Sequence, residues 1–325
     1  MQAKNGFKRK TMSKGSDMTF TDLHEAYIKK CKVNNLSEYT INFYKVCVRI
    51  FGKFVDIDQL KANEIDRELI DDYILHLKET GVKDVTINTY NHGISPAIKY
   101  GMELGIVKKF GFKDIRTTEE IKETYTKQEL EILLKKPSMD SFSEYRNWVI
   151  INFLLGTGIR ALELRSIRIK DNDLSSGILL VTRTKNRKPR YIPISKTLTN
   201  ILVDYLEYRK ANEPEDYLFC NEFGELLPRT TLQMGITKYC KKRGIEKYSL
   251  HLFRHTFAWM WIINHGDIFT LKKILGHSSL KQVNHYANLV TEDIQNGFDE
   301  FCPLENFSSN KQRLKMNKTE FEKWH

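Results

Sequence analysis

The sequence predicts a mainly α-helical protein with one small β-hairpin, divided into a helical N-terminal domain and a larger α+β C-terminal domain. The chain has 325 residues, about twice the usual length of a domain. Apolar residues recur at helical spacing through most of it. One stretch, residues 177–194, instead has two short β-prone runs on either side of a basic segment, the pattern of a hairpin.

The composition indicates a globular protein with reduced cysteines. Apolar residues make up 41% of the chain, which has only 7 prolines and 17 glycines, so it is neither collagenous nor of low complexity. The cysteines are odd in number, widely separated and never spaced C-x-x-C, which argues against a disulfide framework and a structural zinc site. The five are Cys31, Cys47, Cys220, Cys240 and Cys302.

The charge of the chain predicts a polyanionic partner. Lysine and arginine total 52 against 41 aspartates and glutamates, a formal net charge of +11, and this excess favours nucleic acid or another anionic surface. The longest nearly apolar run, residues 148–155 with Asn152 inside it, is far shorter than the roughly 20 residues of a membrane span. The basic N-terminus has no apolar stretch behind it. We therefore expect a cytoplasmic protein that is neither exported nor embedded in a membrane.

Helical segments fill the N-terminal third of the chain. Capping residues and closing glycines place them at residues 20–33, 37–55, 66–79 and 84–104. We therefore predict a small all-helical domain over residues 19–105, preceded by a basic flexible arm, residues 1–18. Residues 106–125 are charged and have little apolar periodicity, so we predict an interdomain linker there.

The C-terminal domain, predicted over residues 126–300 and followed by a tail at residues 301–325, is helical except for the hairpin. A helix capped by Thr126 opens it. Runs 178–181 and 190–194 are the hairpin strands, and the segment between them is polycationic. The basic side chains of this segment and of the first residue of the second strand are Arg183, Lys185, Arg187, Lys188 and Arg190. The sequence has no P-loop, GxGxxG or EF-hand pattern, which disfavours ATP-driven and dinucleotide chemistry.

Four short segments of this domain carry the functional prediction. They are TGIRALEL at residues 157–164, TKNR at 184–187, HLFRH at 251–255 and LGHSS at 275–279, and Tyr286 follows nine residues after His277. In this order the segments resemble the tyrosine recombinase (phage integrase) family. The resemblance covers about residues 19–295, because in that family a helical core-binding, SAM-like domain precedes the catalytic domain.

The resemblance implies an active site of six side chains with one supporting carboxylate. The six are Arg160, Lys185, His251, Arg254, His277 and Tyr286. Glu163, three residues after the first arginine, matches the acidic residue that supports the family site. The residues around Tyr286 depart from the commonest family pattern, which bears on the subfamily and not on the chemistry.

These residue types suit phosphodiester cleavage without a metal ion. A phosphodiester is an anion, and its transition state needs fixed cations at the phosphate oxygens. Arg160 and Arg254 can each donate paired hydrogen bonds there. The phenol of Tyr286 can act as a covalent nucleophile, and Lys185 can protonate the leaving sugar oxygen. The two histidines share the acid, base and phosphate-binding roles, with the division between them open. Neither a metal nor another cofactor is predicted.

The implied function is site-specific DNA recombination, in which strands are cut and rejoined through a covalent 3′-phosphotyrosine. The biological role of this recombination would be integration or excision, transposition of a mobile element, or Xer-type resolution. The resemblance implies double-stranded DNA with inverted half-sites, a dimer on each site, a tetramer in synapsis, and accessory DNA-bending factors as a further class of partner. It also implies a nucleoid-associated protein of a bacterium, an archaeon or a phage. Candidate DNA contacts are Arg183, Arg187, Lys188 and Arg190.

Three other interpretations are weaker. His251 and His255 stand four apart on a predicted helix, as zinc ligands can, but the central Glu of HExxH is missing and Arg254 would repel the ion. A type IB topoisomerase resembles the recombinases in these residues and relaxes DNA, but the LGHSS segment and the helical domain in front favour a recombinase. A catalytically silent, architectural DNA-binding protein would lack the nucleophile or an arginine, and none is missing.

Overall fold

The computed structural model describes residues 17–117, 123–138, 140–182, 184 and 188–276. The chain divides into two units, residues 1–120 and 121–325, each with a hydrophobic core of its own. Within the described residues, no helix is long and apolar enough to cross a lipid bilayer.

Among its described residues, the first unit is built from four α-helices. They are α1 (Phe20–Val33), α2 (Glu38–Phe51), α3 (Arg67–Glu79) and α4 (Asp84–Glu103). Thr19 begins α1 with a capping box, in which its side chain and that of Asp22 each accept a hydrogen bond from the other residue's backbone N–H. Such a box satisfies two donors that the first helical turn leaves without partners.

The core of the first unit forms where α4 packs against α1, α2 and α3. Phe20, Phe51 and Tyr73 are fully buried there. The Phe51 ring meets the rings of Phe20 and Tyr73 edge to face, at centroid distances of 5.4 and 4.9 Å. Aromatic rings prefer this arrangement because the positive edge of one ring faces the negative face of the other.

The predicted helices of this unit are confirmed, with one difference in length. α1 has the predicted bounds, and α3 and α4 each differ from prediction by one residue at one end. α2 ends at Phe51 and not at residue 55. The N–H groups of Lys53 and Phe54 bond to carbonyls three residues back, so they close a tight turn instead of extending the helix.

The segment predicted as a linker has apolar anchors at both ends. Val107 is buried in the first core, and Phe112 and Ile115 pack against that core. The Asn88 side chain holds the backbone N–H and carbonyl of Ile115 with two hydrogen bonds of 2.9 Å. Tyr125 is buried in the second core. Because these anchors are single side chains and not a helical face, the periodicity of the sequence does not reveal them.

The described part of the second unit contains seven α-helices and one antiparallel sheet. The helices are α5 (Lys127–Leu134), α6 (Phe142–Thr157), α7 (Ala161–Ser166), α8 (Lys196–Arg209), α9 (Arg229–Lys241), α10 (Leu250–Ile263) and α11 (Ile268–Leu275). The strands are β1 (Asn172–Asp173), β2 (Ile178–Val181) and β3 (Arg190–Pro193), in the order β1-β2-β3. α6 contacts α5, α8, α9 and α10, and most of its residues are buried.

The predicted hairpin is confirmed, and so is the mainly α-helical fold class. β2 and β3 pair antiparallel, with Leu179 opposite Ile192 and Val181 opposite Arg190. Leu179 and Ile192 are buried, so one face of the sheet joins the core. Side chains alternate between the two faces of a strand, which places Arg190 on the same face as Ile192. Strand β1 is not predicted, because two residues carry no recognisable period.

Candidate active site

Several segments of the second unit meet near the C-terminal end of α6. They are the turn after α6, the start of α7, strand β3, the first half of α10 and the end of α11. The side chains that they bring together are Arg160, Glu163, Arg190 and Arg254. Two of the guanidinium groups bind the carboxylate, and the third binds backbone carbonyls at the ends of α6 and α11.

The turn after α6 depends on Gly158. Its φ of +60° lies in the left-handed region that favours glycine. A Cβ at this position would overlap Phe257 and would lie 2.8 Å from Cδ2 of Leu275. Glycine therefore lets the chain reverse close to α10 and α11. Arg160 follows two residues later as the N-cap of α7.

Arg254 lies on α10 and is almost completely buried, with 3% of its surface exposed. Nη1 donates a hydrogen bond to the Gly158 carbonyl at 2.7 Å, and Nη2 donates to the Leu275 carbonyl at 2.8 Å. A buried guanidinium needs such acceptors, because removing a charge from water is otherwise costly. These bonds fix Arg254 and tie the ends of α6 and α11 to α10.

Glu163 is shared by two arginines. Its side chain is 2% exposed. Oε1 accepts hydrogen bonds from Nη1 of Arg160 at 3.1 Å and from Nη1 of Arg190 at 3.0 Å. Oε2 accepts from the backbone N–H of Arg160 at 3.0 Å and from Nη2 of Arg190 at 2.8 Å. The pair with Arg190 is bidentate, which is the stronger geometry for an arginine and a carboxylate.

The negative charge of Glu163 is maintained by its partners. Burial by itself would raise the pKa of this carboxyl, but the hydrogen bonds and charge of Arg190, followed by those of Arg160, lower the pKa below its ordinary value. Glu163 is therefore ionised at neutral pH. Together with its two arginines it forms a group with one net positive charge.

Arg190 has a different environment from the one we expected for a DNA contact. Its side chain is only 10% exposed. Besides pairing with Glu163, it donates through Nε to the Ile274 carbonyl at 2.7 Å. All three of its guanidinium nitrogens donate to protein acceptors, which disfavours the DNA contact that we predicted for it. The sequence holds a signal for this inward position, since Arg190 is in phase with the buried Ile192 along β3.

His251 and His255 lie one turn apart at the start of α10. Their ring centroids are 5.3 Å apart, with an angle of 63° between the ring planes. His251 is exposed and His255 is half-buried. An exposed imidazole at this position suits hydrogen bonding or proton transfer to a bound phosphate. Among the residues that the structure describes, no group of three His, Cys, Asp or Glu could hold a metal ion.

Five of the predicted site residues lie outside the described residues. They are Arg183, Lys185, Arg187, His277 and Tyr286. Of their described neighbours, Lys188 is exposed, and its carbonyl accepts a hydrogen bond from Oγ1 of Thr184 at 2.8 Å. α11 ends at Leu275, and its cap, Gly276, directly precedes His277 in the sequence.

Arginines held in place within a mainly helical fold make a site that suits binding of an anionic group such as a phosphodiester. Residues 123–292 match the model of the phage integrase family, and residues 19–121 match that of the phage integrase SAM-like domain. The chain belongs to the phage integrase family, the tyrosine recombinases, which cleave and rejoin DNA in site-specific recombination.

Known proteins match the chain over most of their length. Tyrosine recombinase XerA of Saccharolobus solfataricus is 28% identical over 296 residues, which is 87% of this chain and 94% of the relative. A solved structure of the Tn1549 transposon integrase in complex with transposon right end DNA has a TM-score of 0.70 at 20% identity, covering 87% of this chain and 99% of that one. A lambda integrase dimer bound to a COC′ core site has a TM-score of 0.66 at 15% identity, covering 82% and 97%. The two structures share the fold of this chain.

Proposed function

We propose that this recombinase cleaves DNA by attack of Tyr286 on the scissile phosphate, while Arg160 and Arg254 bind that phosphate. The observation that best supports this assignment is the arrangement of the two arginines at the end of α6. The carbonyls of Gly158 and Leu275 fix one of them, and Glu163 fixes the other. Cations held in place before the substrate arrives stabilise the charge that develops on the phosphate oxygens.

Arg160 is the more accessible of the two arginines on Glu163. Its side chain is 24% exposed, against 10% for Arg190. Glu163 engages its Nη1 atom, and a guanidinium held from one side can donate from its other nitrogens to a phosphate. Arg160 is therefore the member of this group that we assign to the substrate.

The reaction is two transesterifications. In the first, the Tyr286 oxygen bonds to phosphorus, the bond from phosphorus to the 5′ oxygen breaks, and Lys185 protonates that leaving oxygen. His251 or His277 accepts the phenol proton. In the second, the 5′-hydroxyl of another strand attacks the 3′-phosphotyrosine and loses its proton, while the tyrosine oxygen leaves and regains one. Each step replaces one phosphodiester with another, so the reaction needs no hydrolysis of a nucleoside triphosphate.

The partner in this proposal is double-stranded DNA with inverted half-sites, bound by a dimer at each site and by a tetramer in synapsis. The solved relatives support it, since one is a dimer on a core site and another is bound to transposon DNA. Residues 19–105 would form the core-binding domain and residues 126–300 the catalytic domain. Arg183, Arg187 and Lys188 would contact phosphates from the hairpin. Accessory DNA-bending factors would complete the assembly.

The biological role in this proposal is integration, excision or transposition of a mobile element, or Xer-type resolution. Its support is that a Xer recombinase and a transposon integrase are both among the relatives. A cytoplasmic, nucleoid-associated location fits a DNA substrate. Two copies of a recombination site on one plasmid test for strand exchange itself, because recombination between direct repeats gives deletion and between inverted repeats gives inversion.

The test is a covalent-adduct assay on a selected site. Duplexes that bind the wild type are selected from a random library, nicked at successive positions, and incubated with wild type or Tyr286→Phe in the presence of EDTA. We expect an SDS-stable protein–DNA adduct from the wild type alone. Adducts from both proteins would place the nucleophile elsewhere. Binding without an adduct would indicate an architectural protein, and plasmid relaxation without exchange between two sites would indicate a type IB topoisomerase activity.

A further inference from the structure

Glu163 binds Arg190 more fully than it binds the Arg160 side chain. Arg190 contacts both carboxylate oxygens, at 3.0 and 2.8 Å, whereas the Arg160 guanidinium contacts only Oε1, at 3.1 Å. The Arg190 side chain is also the less exposed of the two. Arg190 is therefore the principal counter-ion of Glu163.

The stronger pairing of Glu163 with Arg190 matters because Arg160 must bind the phosphate. Opposite charges attract each other strongly in a site that is largely closed to water. If Arg160 were the sole partner of Glu163, the carboxylate would hold that guanidinium and weaken its attraction for an anion. With Arg190 in place, the pair of Glu163 and Arg190 is neutral, and the positive charge of Arg160 is not cancelled.

Arg190 also connects β3 to the end of α11. Its Nε donates to the Ile274 carbonyl at 2.7 Å, while Arg254 donates to the carbonyl of the next residue, Leu275. The last turn of a helix has carbonyls without partners and a partial negative charge, and cations satisfy both. The two arginines therefore hold the helix end from which the chain continues into His277.

The contact between Arg190 and this helix end is close. Gly276 has a φ of +63°, and a Cβ there would lie 3.2 Å from both Cδ and Nη1 of Arg190. That spacing is tighter than ordinary van der Waals contact. The glycine cap of α11 and the guanidinium on β3 are thus fitted to each other.

We propose that Arg190 is a positioning residue of the recombination reaction. It balances the charge of Glu163, so that Arg160 is available to the scissile phosphate, and it holds β3 against the end of α11. Arg190 itself touches neither the DNA nor the nucleophile in this role. The inference rests on the proposed function of Arg160 in binding the scissile phosphate.

A double-mutant cycle on the rate of adduct formation tests this role. Wild type, Arg190→Gln, Glu163→Gln and the double variant are mixed in excess with the selected nicked duplex, and single-turnover rates are measured at saturating protein. We expect Arg190→Gln to slow the reaction on the order of 100-fold, because Glu163 then pairs with Arg160 alone. Adding Glu163→Gln to that variant removes the carboxylate that holds Arg160 and cancels its charge, and we expect the rate to rise again about tenfold.

The rescue separates charge balance from a merely structural role. If Arg190 only maintained the fold, removing its partner as well would leave the double variant as slow as Arg190→Gln or slower. Arg190→Lys keeps the charge but loses the bidentate geometry, so we expect its rate to lie between those of wild type and Arg190→Gln. If Arg190→Gln does not fold, the same cycle is run with Arg190→Met, which also removes the charge and keeps an unbranched side chain.

Arg243→Gln is a matched control. Arg243 also pairs with a glutamate that is shared with a second cation, Glu144, at 2.9 Å. That pair lies at the start of α6, about 20 Å along the helix from its other end. We expect this variant to lower the melting temperature by about 2–4 °C and to form the adduct at the wild-type rate.

Three results would count against the proposals. A wild-type rate for Arg190→Gln would overturn the role of Arg190 while leaving the function of the site intact. A double variant that is no faster than Arg190→Gln would overturn the charge-balance argument. Absence of an adduct from the wild type itself would overturn both this inference and the proposed role of Tyr286.

Discussion

Two glutamates near opposite ends of α6 are each held between two cations, and they differ in how far they are removed from water. Near the start of the helix, Glu144 accepts hydrogen bonds from Lys242 at 2.8 Å and from Arg243 at 2.9 Å. Beyond the other end, Glu163 lies between Arg160 and Arg190. The Glu144 side chain is 21% exposed, whereas that of Glu163 is 2% exposed.

This difference in exposure changes what holds each charge. For Glu144, the hydrogen bond from Lys242 has the largest effect on the pKa and lowers it, while burial is a smaller opposing effect. For Glu163, burial has the largest effect and opposes ionisation, so its two arginines must more than offset it. The same arrangement of charges is therefore an ordinary surface pair in one place and an interdependent network in the other.

Replacing each glutamate by leucine should give the largest difference in stability between the two sites. Glu163→Leu leaves two poorly exposed guanidinium groups without their anion, and we expect it to lower the free energy of unfolding by about 3–5 kcal/mol. Glu144→Leu leaves Lys242 exposed to solvent and Arg243 still bonded to the Tyr239 carbonyl, and we expect a loss of about 1 kcal/mol or less.

Urea denaturation followed by tryptophan fluorescence measures both losses. All 4 tryptophans lie after residue 147, so the signal reports on the second unit. Equal losses from the two variants would show that burial does not distinguish the two sites.

Acidification also distinguishes the two carboxylates, through the pH dependence of what each contributes to stability. Because the pKa of Glu163 is lowered in the folded protein, the unfolded state binds more protons at this group, and its contribution to stability rises with pH. That contribution is complete above the unfolded pKa of about 4.3 and is lost as the pH falls through the folded pKa. The pKa of Glu144 is lowered too, so its contribution has the same sign.

We therefore expect the stability difference between wild type and Glu163→Gln to shrink as the pH falls below about 4.3. For Glu144→Gln we expect a smaller decrease in the same direction, because water already solvates that carboxylate. Urea titrations from neutral pH downward measure both differences. A difference for Glu163→Gln that stays constant or grows on acidification would contradict the network.

Most of the fold follows from patterns that are local in the sequence. Thr19 and Thr126 are predicted caps, and α1 and α5 begin at the residues directly after them. Capping and periodicity involve neighbours only a few residues apart, so the sequence displays them directly. The packing of Val107 and Tyr125 depends on residues far away along the chain, which no local period records.

The same distinction explains how much of the site could be predicted. Arg160 and Glu163 are three residues apart, within one motif, and the structure joins them. Arg190 meets Glu163 across 27 residues, and that contact depends on how the sheet packs against α7. The backbone carbonyls that hold Arg190 and Arg254 have no side-chain signature at all. The sequence therefore identifies candidate reactive groups more readily than the groups that position them.

The smallest expected effect comes from replacing two glycines by alanine. One glycine lies beside a cation that binds Glu144, and the other lies beside a cation that binds Glu163. Gly244 follows Arg243, has a φ of +72° and has nothing within 4 Å of an added Cβ. Gly276 has a similar φ of +63°, but its added Cβ would press on Arg190 at 3.2 Å. Both replacements put alanine in the left-handed region, which costs about 1 kcal/mol, and only the second also displaces a guanidinium.

Arg190 cannot yield to that Cβ without lengthening its hydrogen bonds to Glu163 or Ile274. We therefore expect Gly276→Ala to lower the free energy of unfolding by more than Gly244→Ala does, and the excess to vanish when both are made in an Arg190→Ala background, which removes Cδ as well as the guanidinium. The cost of Gly244→Ala should be the same in both backgrounds, since its backbone strain is local. An excess that persists without Arg190 would mean that the cap of α11 is strained for a reason unrelated to this arginine.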